Sequence, residues 1–424
     1  MNEAFLIYLW ENKLLKSPLK TTHGQNIEVL YPGVRNHHSG PDFHNARIRI
    51  GETLWAGNVE MHINASDWYK HQHHLDKAYS SLILHVVFKA DKEVYDDHRQ
   101  TIPALEIDGC FDTSILLRYR SFIDSRKWIA CEKSVSSIQR FTWLSWLDRM
   151  VVERLVDKTI YIQEQLEQTA NDWEEVFYRR LMQNFGFKVN DAAFDLLARS
   201  LPFHLLLRHA DQLFQLEALL FGQAGLLEVQ FNDDYPENLR KEYQFLSSKY
   251  QLKPLKAEIW RFMRMRPVNF PTIRLSQIAA IIHQNGQLFS KVLHANDVEQ
   301  VKKMFSVKAS VYWNNHFRFD KESVNSEKQM GKNALELILI NTVAQVLFAY
   351  GRIRGEEKHL DSALLILESI EAEQNSIINR FSDLGLSAIN ALQSQALLHM
   401  REHFCKPRRC LECHIGQALI KEAT

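Results

Sequence analysis

Residues 40–64 read GPDFHNARIRIGETLWAGNVEMHIN. Gly40 and Pro41 punctuate the chain. Apolar and polar side chains then alternate through ARIRI and, after Gly51, through NVEMHIN. A period of two between turn-forming residues predicts strands with one face buried. Glu60 and His62 are two apart on the second strand, so they point to one face. Asp42 sits just before the first strand and reaches the same spot if the two strands form a hairpin. Two carboxylates and an imidazole then converge.

Further elements flank this pair on both sides. Residues 4–15 (AFLIYLWENKLL) have the pattern of an amphipathic helix, and IEVLYPG follows as another β-type run. Downstream, SDWYKHQHHLDKAYS (66–80) predicts a short helix capped by Ser66 or Asp67. The runs SSLILHVVFKAD and IPALEI then add two strands. The order is helix, three strands, helix, strand, strand. It predicts an N-terminal α/β unit with a mixed sheet over residues 1–130.

Near Ser137 the period changes to 3.6. RFTWLSWLDRMVVERLVDKTIYIQEQLEQ keeps helical spacing over many turns. Further helices are expected at about 172–185, 190–201, 203–221, 272–293, 333–350, 360–376, 384–402 and 409–421. Gly186, Gly225, Pro236, Pro254, Pro267, Pro271 and Gly351 are read as breaks between them. No repeat of fixed period is present, which disfavours a solenoid. The fold class is therefore α+β, with residues 138–424 forming one or two mostly α-helical domains and carrying a C-terminal cysteine cluster.

At 424 residues and 46% hydrophobic content, the chain can build more than one core. Its 51 basic and 51 acidic residues cancel, so any polyanion site must be a local patch. Five cysteines are few and odd in number. The start, MNEAFLIYLWENKLL, lacks the basic lead and long apolar core of a signal peptide. The most apolar later stretch, Ala334 to Tyr350, contains Glu336, Asn341 and Gln345 and reads as a buried helix. These features set the expectation of a cytoplasmic protein with reduced thiols and no membrane partner.

Oxygen ligands of the Asp42 and Glu60 kind suit hard divalent cations, so Mg²⁺ or Mn²⁺ is the expected ion. Such an ion activates water and stabilises the charge of an in-line phosphoryl transition state. GPD followed by ExH on the next strand resembles the PD-(D/E)XK nuclease superfamily, whose core runs helix–β–β–β–helix–β. The resemblance covers about residues 1–110 and implies a restriction-endonuclease-like fold. It also implies that Asp42 and Glu60 are the metal-binding carboxylates and that His62 stands where the family has its catalytic lysine. Glu11, on the first helix, resembles the extra acid that some members use. Histidine departs from the pattern: it titrates near neutrality and can ligate metal. His62 is thus a lysine replacement, a ligand, or the mark of an inactive descendant. The whole chain, through GPDFHNARIRI, SDWYKHQHHLDKAY, RPVNFPTIRLSQIA and CKPRRCLECHIG, also resembles a bacterial family catalogued only as a domain of unknown function.

Ten of the 19 histidines fall within the first hundred residues. His71 and His74, three apart on the expected helix, could line the same cleft and take phosphate or a softer metal. At the other end, HFCKPRRCLECHIG supplies Cys405, Cys410 and Cys413 with metal-ligand spacing, for zinc or an iron–sulfur cluster. His403 or His414 could complete a zinc site. KPRRCLEC resembles the iron–sulfur segment of some DNA repair glycosylases, which needs a fourth cysteine, and Cys110 or Cys131 could supply it only by long-range folding. The alternative is that these are reduced core thiols.

Residues 249–274 hold seven basic side chains against one acid. Arg261 and Arg264 are expected on one helix face with aromatics interleaved, and with Arg266 and Arg274 they form a candidate nucleic-acid-binding patch for DNA or RNA. The stretch 1–110, by contrast, is weakly acidic, with 11 basic and 14 acidic side chains. The expected function is a metal-dependent nuclease (a phosphodiesterase) or a nuclease-derived nucleic-acid-binding protein. The alternative is a non-enzymatic scaffold, with a degenerate nuclease-like domain and a protein partner.

Overall fold

The computed structural model describes residues 1–421. The chain divides into two compact units, residues 1–146 with 400–424 and residues 147–399. The chain therefore returns to its first unit at Met400, so the cysteine-bearing segment belongs with the sheet and not with the helical part as expected from the sequence.

In the first unit, helix α1 (Glu3–Glu11) starts where the Asn2 side chain accepts the Phe5 N–H. It buries Phe5, Leu6, Leu9 and Trp10 almost completely. Each such side chain contributes about 1.5–3 kcal/mol on burial. The strands are β1 (Leu19–Lys20), β2 (Asn26–Tyr31), β3 (Val34–Arg35), β4 (Phe43–Ile50) and β5 (Thr53–Asn64). After the short helix α2 (Asp67–Lys70) come β6 (Leu82–Lys89) and β7 (Ala104–Glu106), then helix α3 (Thr113–Ile123). The strands form one mixed sheet in the order β1-β2-β4-β5-β6-β7, with β3 beside β4. The β2–β4 and β4–β5 pairs are antiparallel, whereas β5–β6 and β6–β7 are parallel. The first half of β5 is exposed, and residues 59–62 are buried whichever face they point to. β6, LILHVVFK, is almost continuously apolar, as befits a parallel strand covered on both faces, yet it carries His85 in the middle.

Two local devices shape this sheet. Asn45, at φ 59°, marks a bulge in β4 between Phe43 and Ala46, right beside Asp42. Such bulges re-aim neighbouring side chains. Gly57 faces the strand entry of β6: a Cβ there would lie 2.6 Å from the Ser81 carbonyl oxygen, so only glycine allows this approach.

Helix α4 (Arg140–Gln168) continues without a break through about eight turns. After it the second unit contains α5 (Trp173–Phe185), α6 (Asp191–Ser200), α7 (Phe203–Leu207), α8 (Leu213–Gln223), α9 (Asp234–Tyr250), α10 (Pro271–Asn285), α11 (Leu288–Leu293) and α12 (Val298–Phe305). A small hairpin, β8 (His316–Arg318) with β9 (Lys321–Glu322), precedes α13 (Lys332–Ile338), α14 (Ala344–Arg354), α15 (Glu357–Glu368), α16 (Ser376–Asp383) and α17 (Ala391–Met400). The last helix, α18 (His414–Lys421), lies in the first unit.

Several helix expectations change. The run 203–221 breaks into α7 and α8. Helix α9 is hidden in the sequence because Pro236 reads as a break; it actually sits in the first turn, where proline removes no helical bond. Helices α12 and α16 also lie outside the expected set. Residues 332–354 form one apolar stretch, widened by a π-turn at 339–343. By length and composition it could cross a membrane, but two thirds of its apolar window is buried inside the protein. Asn184 donates to the Asn341 carbonyl and the Thr342 hydroxyl at that turn.

Candidate metal centre

The site begins with strand register. Phe43 faces Val59 across the β4–β5 pair, which places Asp42 opposite Glu60. Each carboxylate is gripped by the other's strand. Glu60 Oε2 accepts the Asp42 N–H at 3.0 Å, and Asp42 Oδ2 accepts the Met61 N–H at 3.1 Å. Glu60 is also in register with His85 on β6. Glu60, His62 and His85 are each at most 5% exposed.

Four imidazoles gather at the carboxylates. His62 Nε2 lies 3.0 Å from His71 Nδ1, and His62 Nδ1 lies 2.8 Å from His85 Nε2. Glu60 Oε1 is 3.6 Å from His62 Nε2 and 3.4 Å from His73 Nε2. One ligand atom from each of His62, His71 and His73 falls in a set within 4.8 Å of one another. These edges of roughly 3–3.6 Å match donors that share an ion at zinc-type distances of about 2.0–2.2 Å. His85 stands behind His62 as an orienting partner: when His62 offers Nε2, its Nδ1 proton goes to His85 Nε2. The wall is aromatic. Trp68 packs edge-on against His73, and Tyr79 lies 4.1 Å from the His73 ring.

The electrostatics fit a cation site. Burial raises the Asp42 and Glu60 carboxyls above the usual carboxylate range, Glu60 the further. The charge of Asp42 adds to the rise at Glu60 and that of Glu3 to the rise at both, while the strand N–H bonds oppose it. Among the described residues no lysine or arginine is ion-paired with either carboxylate; Arg35 acts on Asp42 only at longer range. Burial, and then His85, lower His62 to about 3, and burial lowers His85 to about 3. Neutral imidazoles are the form that ligates metal.

The fold brings Asp42, Glu60 and His62 together. Glu11 does not join them: it is exposed at the end of α1, 3.9 Å from Arg35. The first-helix acid that acts on the site is Glu3, at the start of α1. His73 stands where His74 was expected. Helix α2 ends after one turn, and Gln72 at φ 62° swings the chain, so spacing of three no longer means one face. His74 instead packs against Tyr69. His71 is legible in the sequence as a candidate for this cleft, whereas only the density of histidines in 62–85 hints at His73 and His85.

The arginine patch is corrected too. Residues 251–270 are not a regular helix, because Pro254, Pro267 and Pro271 interrupt it and restrict the residues before them. Asn190 clamps the Arg261 backbone through both N–H and C=O, and Trp260 donates to the Ala224 carbonyl. Arg261, Arg264 and Arg266 lie on this irregular segment, at or near the surface. Arg274 is 3% exposed on α10, bonded to Gln277 and Asn269 and stacked over Phe187, so it is a structural cation with no surface to offer a polyanion.

A cavity of about 700 Å³ lies within the helical unit, lined in part by Arg154, Arg180 and Glu373. Its arginines are met by Gln395, Gln183 and Gln345. The convergence of unpaired acids and neutral imidazoles is on the sheet instead, which makes the sheet the candidate centre.

Residues 3–376 match the family described as "Protein of unknown function (DUF2851)". The chain belongs to that family. No curated protein and no solved structure matches it. The DUF2851 match spans the whole histidine–carboxylate site and ends before Cys405, Cys410 and Cys413.

Proposed function

We propose that this DUF2851 protein is a divalent-metal-dependent phosphodiesterase of nuclease type, working at Asp42, Glu60, His62, His71 and His73. The observation that carries the reading is the set of His62, His71 and His73 ligand atoms within 4.8 Å of one another, with Glu60 Oε1 3.6 Å from His62 Nε2 and 3.4 Å from His73 Nε2, beside Asp42. The element order α1, antiparallel strands, α2, then parallel β6 supports a nuclease-like core, as does Asp42 and Glu60 occupying neighbouring strands. With three imidazoles in the set, the donor chemistry favours Zn²⁺ or Mn²⁺ over Mg²⁺. Such an ion supplies Lewis acidity and a water acidified toward neutrality. In this reading His62 is a ligand and not a lysine substitute. Asp42, held partly protonated by burial, is the group placed to exchange a proton with the attacking water.

The test is hydrolysis of single- and double-stranded DNA and RNA, and of an aryl phosphodiester, with Mg²⁺, Mn²⁺ or Zn²⁺. Metal-dependent cleavage lost in Glu60→Gln and Asp42→Asn supports the reading. Metal binding without cleavage of any of these substrates points to the scaffold alternative, for which the absent lysine is the specific motive. No metal binding at all removes the site.

A further inference from the structure

The second cluster stands on cysteine. Cys405 ends the π-turn that extends α17, and Cys410 and Cys413 precede the start of α18. Cys131 comes from a turn far earlier in the chain, yet its thiol lies within electrostatic reach of Cys405, Cys410 and Cys413. All four belong to the first unit. Cys110 does not join them: its thiol contacts the Glu106 carbonyl.

The surroundings are built around this convergence. Arg408 Nη2 donates to the Ser125 and Lys127 carbonyls, tying the Cys131 segment to the Cys405–Cys413 loop. Residue 416 must be glycine, since a Cβ would lie 2.2 Å from the Cys410 carbonyl oxygen. The Ile415 and Gly416 N–H groups reach the Cys413 sulfur. Backbone N–H bonds of this kind stabilise a thiolate and tune a bound cluster. Arg401 and Arg408 act on Cys405 and on Cys131 and Cys410 respectively, and each keeps a buried guanidinium nitrogen with no hydrogen-bond partner. Both arginines are half-buried, and a cation beside a thiol favours the thiolate that ligates metal.

Spacing chooses between the two sulfur-loving candidates. Zinc–sulfur bonds of about 2.3 Å in a tetrahedron bring sulfurs to about 3.8 Å from one another. Among the described residues, the sets of three or more ligand atoms within 4.8 Å do not include these thiols. A cubane places each cysteine on a different iron and so holds the sulfurs wider apart. Of the candidate histidines, the His414 ring lies against Trp146, with ring centroids 4.7 Å apart.

We propose that Cys131, Cys405, Cys410 and Cys413 ligate a [4Fe–4S] cluster that staples the end of the chain onto the sheet-bearing unit. The full-length protein, purified without oxygen or reconstituted with ferrous iron and sulfide, is expected to show broad visible absorbance and to carry about four irons and four sulfides per chain. Cys131→Ser should lose at least about half of that iron, as a cubane losing one of its four ligands, while Cys110→Ser keeps all of it. Stoichiometric zinc without sulfide overturns the cluster, and so does metal-free protein that takes up no iron on reconstitution. Full iron loading of Cys131→Ser overturns the assignment of the fourth ligand. Circular dichroism of each variant separates loss of iron from loss of fold, and the wild-type iron and sulfide content decides the main point without any variant.

Discussion

In the helical unit the buried carboxylate of Glu217, 1% exposed, is met on both oxygens: Ser276 donates to one and Tyr235 to the other. Glu175 is similarly closed by Arg179 and the Phe203 N–H, and Arg274 by Gln277 and Asn269. On the sheet, Glu60 is buried and Asp42 half-buried, and the two face one another, with Glu3 adding to the repulsion and the neutral His62 imidazole alongside. Buried charge that the chain itself completes is part of the scaffold. Facing carboxyls that oppose one another's ionisation, with no cation paired to either, mark a place where an ion completes the set.

The largest effect that tests this contrast is expected in the helical unit. Glu217→Ala leaves two buried hydroxyls without their acceptor, and should cost about 3 kcal/mol in urea unfolding. A cost below about 1 kcal/mol would break the comparison. Next comes the ion. Zn²⁺ or Mn²⁺ at about a hundred times its Kd should stabilise wild type by about 2.7 kcal/mol, and Glu60→Gln, His62→Ala and His71→Ala should each abolish most of that gain. Thermal melts with and without metal read it directly.

The metal-induced gain should also grow with pH. The folded state holds the Glu60 proton above the ordinary carboxylate value, so metal-free stability falls as pH rises from there to the raised value. An ion displaces that proton, and its stabilising effect increases across the same window. His62 works the other way: its neutral form contributes stability above the ordinary histidine range, and this is lost as pH falls from that range toward about 3. A metal-induced shift independent of pH between about 5 and 8 would contradict the carboxylate ligand.

Smaller still is the change in the metal-free protein. Glu60→Gln keeps an acceptor for the Asp42 N–H and removes a carboxyl whose ionisation burial and Asp42 oppose. Stability should therefore stay level or rise by up to about 1 kcal/mol. A clear loss in the melt would mean that the Glu60 carboxyl is structural. The smallest effects belong to the arginines. Arg261→Ala, Arg264→Ala and Arg266→Ala should each leave the melting temperature almost unchanged, as surface substitutions usually do. Arg274→Ala should lower it clearly, because it orphans Gln277 and opens the stack on Phe187. Equal effects at all four positions would place Arg274 with the surface arginines.

The legible parts share one property, local periodicity. The alternation in 46–50 and 58–64 predicts β4 and β5 and puts Glu60 with His62 on one face, and the strand runs at 26–31, 82–89 and 104–106 are equally plain. The long α4 follows from spacing alone. What spacing misreads are places where one residue changes the path. Gln72 turns a presumed helix face into a fold-back that brings in His73, Pro236 opens a helix, and three prolines leave the arginine stretch irregular. Glu3 and Glu11 lie on the same helix, and no pattern within that helix says which end meets the site.

The sequence by itself determined the mixed sheet, the change to helix near residue 140 and the pairing of Glu60 with His62, because backbone periodicity and the burial of apolar faces act over a few residues. Tertiary structure alone decided that Glu3 stands behind the Asp42–Glu60 pair, and that His73 and His85 join His71 around His62. It also brought Cys131 to the cysteines near the last helix. These contacts join residues whose separation along the chain carries no period, so they form only when strand register, a left-handed residue and the returning chain end are all in place.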